Sequence, residues 1–176
     1  QGVTLVNTSK YGFNVEGTAL NMTLLRGSID PDPLPDLGVH TIQYALVVHE
    51  AGWSTGNCVA AGEDWNIPVD VISSDFHDGD LPVCHALVGV EPANVRLAAL
   101  KRSQNGKALV LRLVEVEGKA TAVRLSFSEA LVGEGANACV ADTLERPLDQ
   151  PVLSVRDGSV AVPIEAYRVL TLRVEG

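Results

Sequence analysis

The chain has 176 residues, which suits one domain of ordinary size or two small ones with a buried core. With 46% hydrophobic and 20% charged residues it has the composition of a globular protein, which excludes a disordered chain. The 22 acidic residues outnumber the 13 basic ones and give a net charge of −9, which excludes nucleic acids and anionic membrane surfaces as partners because both bind dense patches of Lys and Arg.

Six segments alternate apolar with polar residues at a period of two, which is typical of strands with one buried face. In chain order these segments are 42–48, 95–101, 108–116, 120–127, 152–156 and 167–174. The dipeptides Asn105-Gly106 and Asp157-Gly158 tolerate the positive φ angles of tight turns, and Glu117-Gly118-Lys119 predicts a third reversal. No segment has a strong amphipathic helical pattern. The sequence therefore predicts an all-β fold, built as an antiparallel β-sandwich.

The character of the sequence changes near residue 90. Residues 95–176 form a regular set of short strands with tight turns, enough for a small antiparallel sandwich. The part before them contains all four histidines and both tryptophans, with long connections at 27–40 and 52–82. Long connections in a compact fold are often functional. We therefore predict two parts, residues 1–89 and 90–176.

One short motif suggests a serine hydrolase. Residues 52–56 match G-x-S-x-G, the nucleophile elbow, in which a helix follows the serine. Residues 57–62, which are bounded by glycine, are interpreted as too short for that helix. A glycine-rich connection is therefore the preferred interpretation, and Ser54 as a nucleophile stays an alternative that needs a histidine and an acid within hydrogen-bond reach.

Other polar clusters offer no clear metal site or catalytic pair. His49 and His85 can meet across strands, but none of the four histidines has the i, i+4 spacing of a helical pair. The loop 75–80 lacks the alternate oxygen ligands of a calcium loop. The carboxylates of Asp30, Asp32 and Asp36 alternate with prolines, which favours a structural or subsite-lining loop over a catalytic dyad.

Longer motifs point to a family. They run through the chain in order, at Asn7–Val15, Leu20–Arg26, Pro31–His40, Tyr44–His49, Asn66–Pro68, Asn94–Lys101, Arg112–Gly118 and Val162–Arg173. The sequence at these positions, such as KYGF, TLLR and PDPLPDLGVH, resembles the C-terminal β-region of family 38 glycoside hydrolases, the α-mannosidases, in their bacterial and cytosolic form. The resemblance spans essentially the whole chain.

The resemblance implies a non-catalytic role. In this family an N-terminal α/β barrel supplies the aspartate nucleophile, a second aspartate as acid/base and a zinc ion, and none of those motifs is present in this sequence. We expect residues 1–89 to be the end of a β-supersandwich and residues 90–176 to be the small C-terminal β-sandwich. We also expect the chain to be the C-terminal portion of a longer enzyme, to be inactive alone and to carry no cofactor. Its expected partners are its own N-terminal catalytic barrel and, in the intact enzyme, a mannose-containing oligosaccharide.

Location and assembly are further expectations. The three cysteines form no CxxC motif and there is no secretory signal, which together with the resemblance to the cytosolic form favours a cytoplasmic location. No apolar run approaches the length of a membrane-spanning helix, so we expect no membrane association. If the chain is separated from the rest of a larger sheet, its strand edges are exposed. Exposed edges pair with other strands, so we expect self-association into a homo-oligomer.

Four residues are candidates for the rim of the substrate cleft. The resemblance implies that loops of the β-domains reach this rim, and Arg26, Asp32, Asp36 and His40 lie in the loop that we expect to do so. An equally weighted alternative is that Arg26 and Asp36 only form an ion pair that holds the loop. A different function, a stand-alone carbohydrate-binding or scaffold module, requires a flat aromatic face, and Tyr44, Trp53 and Trp65 are widely spaced in the sequence.

Overall fold

The computed structural model describes residues 1–50, 52–53 and 57–176. The chain divides into two compact units, residues 1–75 and 76–176. The boundary predicted near residue 90 lies within a strand of the second unit, Val88–Glu91. The assignment of the first part of the chain to a supersandwich stays a prediction.

The first unit contains two small antiparallel sheets and a helix. Its elements are β1 (Gly2–Asn7), β2 (Phe13–Glu16), β3 (Ala19–Met22), β4 (Tyr44–His49) and α1 (Cys58–Asn66). Strand β1 pairs with β4, and β2 pairs with β3 through a turn at Gly17, whose φ of 59° favours glycine. Among the described residues, no helix has the length and apolar character needed to cross a membrane.

Helix α1 corrects the prediction that residues 57–62 cannot form a helix. The helix continues to Asn66 and includes Gly62, although an interior glycine costs about 1 kcal/mol relative to alanine. Its contact with β1 outweighs this cost. The Asn66 side-chain amide donates to the backbone carbonyls of Asn7, at 3.1 Å, and of Gly62, at 2.9 Å. Tertiary contacts thus stabilise a helix that the local pattern does not predict.

The second unit is an antiparallel β-sandwich, which confirms the predicted fold class. Its strands are β5 (Val88–Glu91), β6 (Val95–Arg102), β7 (Leu109–Glu115), β8 (Thr121–Phe127), β9 (Asn137–Ala141), β10 (Leu153–Ser154), β11 (Ser159–Ile164) and β12 (Val169–Glu175). One sheet has five strands in the order β10-β9-β12-β7-β6, and the other has three in the order β11-β8-β5. Every pairing is antiparallel.

The predicted strands and most of the predicted turns are confirmed. Each of the six alternating segments contains a strand, namely β4, β6, β7, β8, β10 or β12. Asp157 and Gly158 both have positive φ, of 48° and 64°, whereas at 105–106 the described positive φ belongs to Gly106. Residues 117–119 connect β7 and β8, which lie in different sheets. This reversal therefore carries the chain across the sandwich instead of closing a hairpin.

The core of the second unit lies between its two sheets. Leu111, Leu113 and Leu172 of the five-stranded sheet are fully buried, as are Val123 and Leu125 of the other sheet. Residues two apart on a strand share a face, so the alternation in the sequence becomes the packed interface. Each such side chain contributes about 1.5–3 kcal/mol on burial. This core holds the loops of the second unit in place.

Candidate functional site

The predicted rim loop is closed by hydrogen bonds from its own side chains. Asp36 Oδ2 accepts the Gly27 backbone N–H at 2.5 Å, and His40 Nε2 lies 2.9 Å from the Asp36 carbonyl oxygen. Asp32 Oδ1 accepts the Leu34 N–H at 3.0 Å. Gly27 has a φ of 61°, a conformation that favours glycine beside the Asp36 carboxylate. The structure therefore brings Asp36 and His40 together, while Asp32 fixes a separate turn.

Arg26 lies at the start of this loop and is exposed. Within the described ranges, neither an ion pair nor a hydrogen bond joins its guanidinium to Asp36. The Asp36 carboxylate instead accepts the backbone N–H of Gly27. The ion pair weighed in the sequence analysis is therefore absent here, and the assignment of the four loop residues to a cleft rim stays a prediction.

The metal site of His49 and His85 and the nucleophile Ser54 were two further hypotheses from the sequence. His49 lies beside Thr4 and Cys58, whereas His85 Nε2 lies 2.8 Å from Ser128 Oγ. In the described part of the chain, three or more His, Cys, Asp or Glu side chains are nowhere grouped to hold a metal ion. Ser54, the nucleophile of the hydrolase alternative, lies outside the described residues.

A shallow pocket of about 420 Å³ in the first unit contains two aromatic residues. Tyr44 and Trp65 line it, together with Thr8, Ile42 and Gln43. The sequence spacing gave no reason to place these two aromatic side chains together, because one is on a strand and the other on the helix. Trp53 is not among the lining residues.

The most extensively hydrogen-bonded carboxylate in the described structure is Glu115, at the end of β7. Glu115 is 1% exposed, and the neighbouring Asn94 is 8% exposed. Glu115 Oε1 accepts the Asn94 side-chain amide and the Glu117 N–H, both at 2.9 Å. Its Oε2 accepts the N–H groups of Gly118, at 2.8 Å, and Tyr167, at 2.9 Å. One carboxylate thus joins β7, the crossover at 117–119 and the start of β12.

These donors determine the charge of Glu115. Burial raises the pKa of this carboxylate. The hydrogen bonds that it accepts lower the pKa by a larger amount, so that it falls from 4.5 to about 2; their donors are Tyr167, Asn94, Glu117 and Lys119. The group is ionised at neutral pH and has no cation in direct contact among the described residues. Such a fully satisfied buried carboxylate is suited to holding loops.

Glu115 lies in one of the family motifs of the sequence, but its role as a buried carboxylate was not predicted. The signal was present, because Leu109, Leu111, Leu113 and Glu115 share one parity on β7 and the first three face the core. An acidic residue at the inward position of such a strand predicts a buried carboxylate with nearby N–H donors. Its partners at Asn94 and Tyr167 are distant in sequence and could not be inferred from spacing.

Comparison with known proteins identifies the second unit. The profile of the glycosyl hydrolases family 38 C-terminal beta sandwich domain matches residues 94–172. Over these residues the chain is similar to family 38 C-terminal β-sandwich domains, and we call residues 94–172 the family 38 domain. The match begins at Asn94 and includes Glu115 and Gly118. The family 38 domain therefore contains both the buried Glu115 carboxylate and its hydrogen-bond donors. The resemblance stated from the motifs is confirmed.

Similarity extends beyond the family 38 domain. Over 97% of its length the chain is 29% identical to the protein named Alpha-mannosidase 2C1 in both human and mouse. It is 32% identical to the Alpha-mannosidase of Saccharomyces cerevisiae over 62% of the chain. The chain spans 16% of the length of the human and mouse proteins and 10% of the yeast protein.

Proposed function

We propose that this chain is a non-catalytic β-domain region of a family 38 α-mannosidase and that it supports the catalytic part of that enzyme. The similarity to α-mannosidases over 97% of the chain, at 16% of their length, is the observation that carries the proposal. Retaining hydrolysis of α-mannosides, and the zinc ion that the family resemblance implies, are assigned to the remaining part of the enzyme. The described residues contain no cluster suited to that metal, so no step of the reaction is assigned to them.

The support surface that we propose is one face of the β1–β4 sheet. Val3 pairs with Val48, and Leu5 pairs with Leu46, so these four side chains share a face. Val3, Leu46 and Val48 are 54%, 60% and 77% exposed. Helix α1 packs against β1 on the other face, where Thr4 meets Cys58. An apolar face left open in this way favours packing against further polypeptide.

The proposed occupant of this face is the catalytic portion of the same enzyme. The relatives contain several times more polypeptide than this chain, which is the source of a covering surface. The first unit also lacks a core of its own, since Val6 is the one buried hydrophobic residue among its described residues. Burial of these three partly exposed aliphatic side chains would contribute favourably to the contact with the catalytic portion.

The loop from Arg26 to His40 is proposed to border the substrate cleft. Its hydrogen bonds at Asp36 and His40 fix its closure, and the exposed Arg26 guanidinium offers a planar set of N–H donors. Such a fork suits a pair of sugar hydroxyls or a carboxylate of the catalytic portion. In the assembled enzyme we expect Arg26→Ala to lower kcat/KM about tenfold, as loss of a hydrogen bond to a charged group does. Arg156→Ala, at an exposed position of the second unit, is the matched control.

The test is an α-mannosidase assay with p-nitrophenyl α-mannoside and added zinc. We expect no turnover by the chain alone and turnover after mixing with the catalytic portion of the enzyme. Leu46→Lys should weaken this association about tenfold or more, because it places a charge in an apolar contact. Leu144→Lys, at a residue 69% exposed in a loop of the second unit, should not.

Two results would overturn the proposal. Zinc-dependent turnover by the chain alone would place the catalytic centre within these residues. A homo-oligomer that Leu46→Lys dissociates, without any binding to the catalytic portion, would show that a second copy of the chain covers the β1–β4 face. Analytical ultracentrifugation of the chain alone and of the mixture distinguishes these outcomes.

A stand-alone carbohydrate-binding module is the second candidate function. The observation that favours it is the pocket lined by Tyr44 and Trp65, with Gln43 and Thr8 as polar neighbours. Aromatic faces with adjacent hydrogen-bonding groups suit the apolar and polar sides of a hexose. Quenching or enhancement of tryptophan fluorescence by mannose, abolished by Trp65→Ala and retained in Trp53→Ala, would favour this function over the first.

A further inference from the structure

Cys58 lies in a cluster of three side chains that neither the fold nor the proposed function uses. It is the first residue of α1, and its Sγ accepts a hydrogen bond from Thr4 Oγ1 at 2.8 Å. His49 Nε2 lies 3.6 Å from the same sulfur and 3.1 Å from Thr4 Oγ1. Strand β1, strand β4 and helix α1 thus each contribute one group to a closed triangle, which we call the thiol cluster. It combines a nucleophile with a base and a hydroxyl donor.

The imidazole of the thiol cluster is held in place by the neighbouring strand. Gly2 pairs with His49 across the β1–β4 sheet, and a Cβ atom at Gly2 would collide with the imidazole ring. The ring therefore occupies the space above Gly2 that a side chain would otherwise fill. This position keeps Nε2 directed at Thr4 and Cys58, instead of leaving the ring free to rotate into solvent.

The end of α1 adds to the effect of these neighbours. Asn57, at the N-cap position, has a left-handed conformation with a φ of 59° and makes no side-chain capping hydrogen bond. The N-terminus of a helix carries partial positive charge and stabilises a negative group at its first residue. The first residue of α1 is therefore a position at which negative charge developing on the Cys58 sulfur during a reaction is stabilised.

We propose that Cys58 is an activated thiol that is covalently modified by small electrophilic carbon compounds, with His49 as the base. In the reaction with an α-halo amide, the thiol proton moves to His49 Nε2. The sulfur electron pair forms a bond to the methylene carbon, the carbon–halogen bond breaks, and the halide leaves. The protonated imidazole then returns its proton to water. Thr4 donates its hydroxyl hydrogen to the sulfur and stabilises the negative charge that develops there.

The other two cysteines provide internal references. Cys84 is exposed, and Cys139 is half-buried on β9. Within the described ranges, neither thiol has an imidazole at hydrogen-bond distance. If exposure alone controlled reactivity, Cys84 would react first. If the thiol cluster controls it, the half-buried Cys58 reacts first.

The test measures the alkylation rate of each cysteine in the folded 176-residue chain. Iodoacetamide is added in excess, and peptides containing the three cysteines are quantified by mass spectrometry over time. We expect Cys58 to react about tenfold faster than Cys84, and His49→Gln to remove this advantage, because a positioned base typically contributes at least that factor. His77→Gln, in an exposed loop of the second unit, is the matched control and should leave the Cys58 rate unchanged.

Several outcomes would overturn the proposal. A Cys58 rate equal to or below that of Cys84 in the folded chain would do so, as would a Cys58 rate that His49→Gln leaves unchanged. A second variant, Thr4→Val, guards against misfolding in His49→Gln, and we expect it to slow Cys58 severalfold by removing the donor to sulfur. Amide hydrogen exchange of α1 shows whether each variant keeps the helix, and in denaturant the three cysteines should react at similar rates.

Discussion

Replacing Glu115 with glutamine tests the structural role of the buried carboxylate. Its pKa falls from 4.5 to about 2 on folding, which corresponds to on the order of 3 kcal/mol of stability at neutral pH. The contacts lead to a similar figure. A glutamine carbonyl can accept the donors on one side, but its NH₂ group would face two N–H donors on the other, and each buried unpaired donor costs about 1–3 kcal/mol. We therefore expect Glu115→Gln to destabilise the second unit by about 3 kcal/mol.

The dependence on pH separates the charge from the shape of the side chain. Because the pKa is lower in the folded state, the contribution of Glu115 is complete above about pH 4.5 and is lost as the pH falls towards 2. The stability difference between the wild type and Glu115→Gln should therefore shrink over this range. If the stability difference between the wild type and Glu115→Gln stays constant down to pH 2, the lowered pKa of Glu115 is not its cause.

The assay is equilibrium unfolding in urea, read by pulsed hydrogen exchange in peptides that cover β7 and β12. This readout reports on the second unit separately from the first. Glu117→Gln is the matched control, because Glu117 makes a surface ion pair with Lys119 at 2.6 Å and such pairs contribute about 0–1 kcal/mol. Equal losses in the two variants would refute the reasoning.

Two further predictions concern glycines. Gly118→Ala should destabilise the second unit by about 1–3 kcal/mol in the same urea assay, because the new Cβ would lie 2.6 Å from the Tyr167 ring at a φ of 78°. In Gly133→Ala the new Cβ meets no atom within 4 Å, so this variant should change the stability of the second unit by less than about 0.5 kcal/mol. A similar loss of stability in Gly118→Ala and Gly133→Ala would contradict the contact argument. Gly62→Ala should stabilise α1 by about 0.5–1 kcal/mol in the hydrogen exchange of residues 58–66, because Gly62 is helical and has open space around it. Gly106→Ala, at a φ of 71°, should instead destabilise its turn, and faster exchange of α1 in Gly62→Ala would refute the helix assignment.

The sequence predicted the second unit well because its strands are locally consistent. Residues 108–116 and 120–127 alternate cleanly, and the inward positions Leu111 and Val123 are fully buried. The first unit was harder to predict. Helix α1 contains Gly62 and depends on contacts with β1, about sixty residues away, so its local pattern is weak. Local propensity therefore gave the wrong answer where tertiary contacts determined the structure.

The candidate sites show the same limit. The loop from Arg26 to His40 could be selected from its motif, but the acceptance of the Gly27 N–H by Asp36 depends on a turn geometry that spacing does not specify. The thiol cluster was not predicted at all. Cys58 and His49 are nine residues apart along the chain, and the packing of α1 against β1, which pairs with β4, brings them together. Residue types suggest chemistry, but the contacts that activate a side chain are set by the fold.

The distribution of buried groups explains why support and docking are assigned to different parts of the chain. In the second unit a sandwich core and a fully hydrogen-bonded carboxylate both lie within residues 76–176. On the outer face of its larger sheet, Arg112 and Arg173 donate to the carbonyls of Thr143 and Glu145, both at 2.9 Å. The first unit differs in its core, because Val6 is the one buried hydrophobic residue among its described residues, and Val3, Leu46 and Val48 are exposed on one face of a sheet. Since exposed apolar area is the main source of association energy, we propose the β1–β4 face, and not the family 38 domain, for the contact with the catalytic portion.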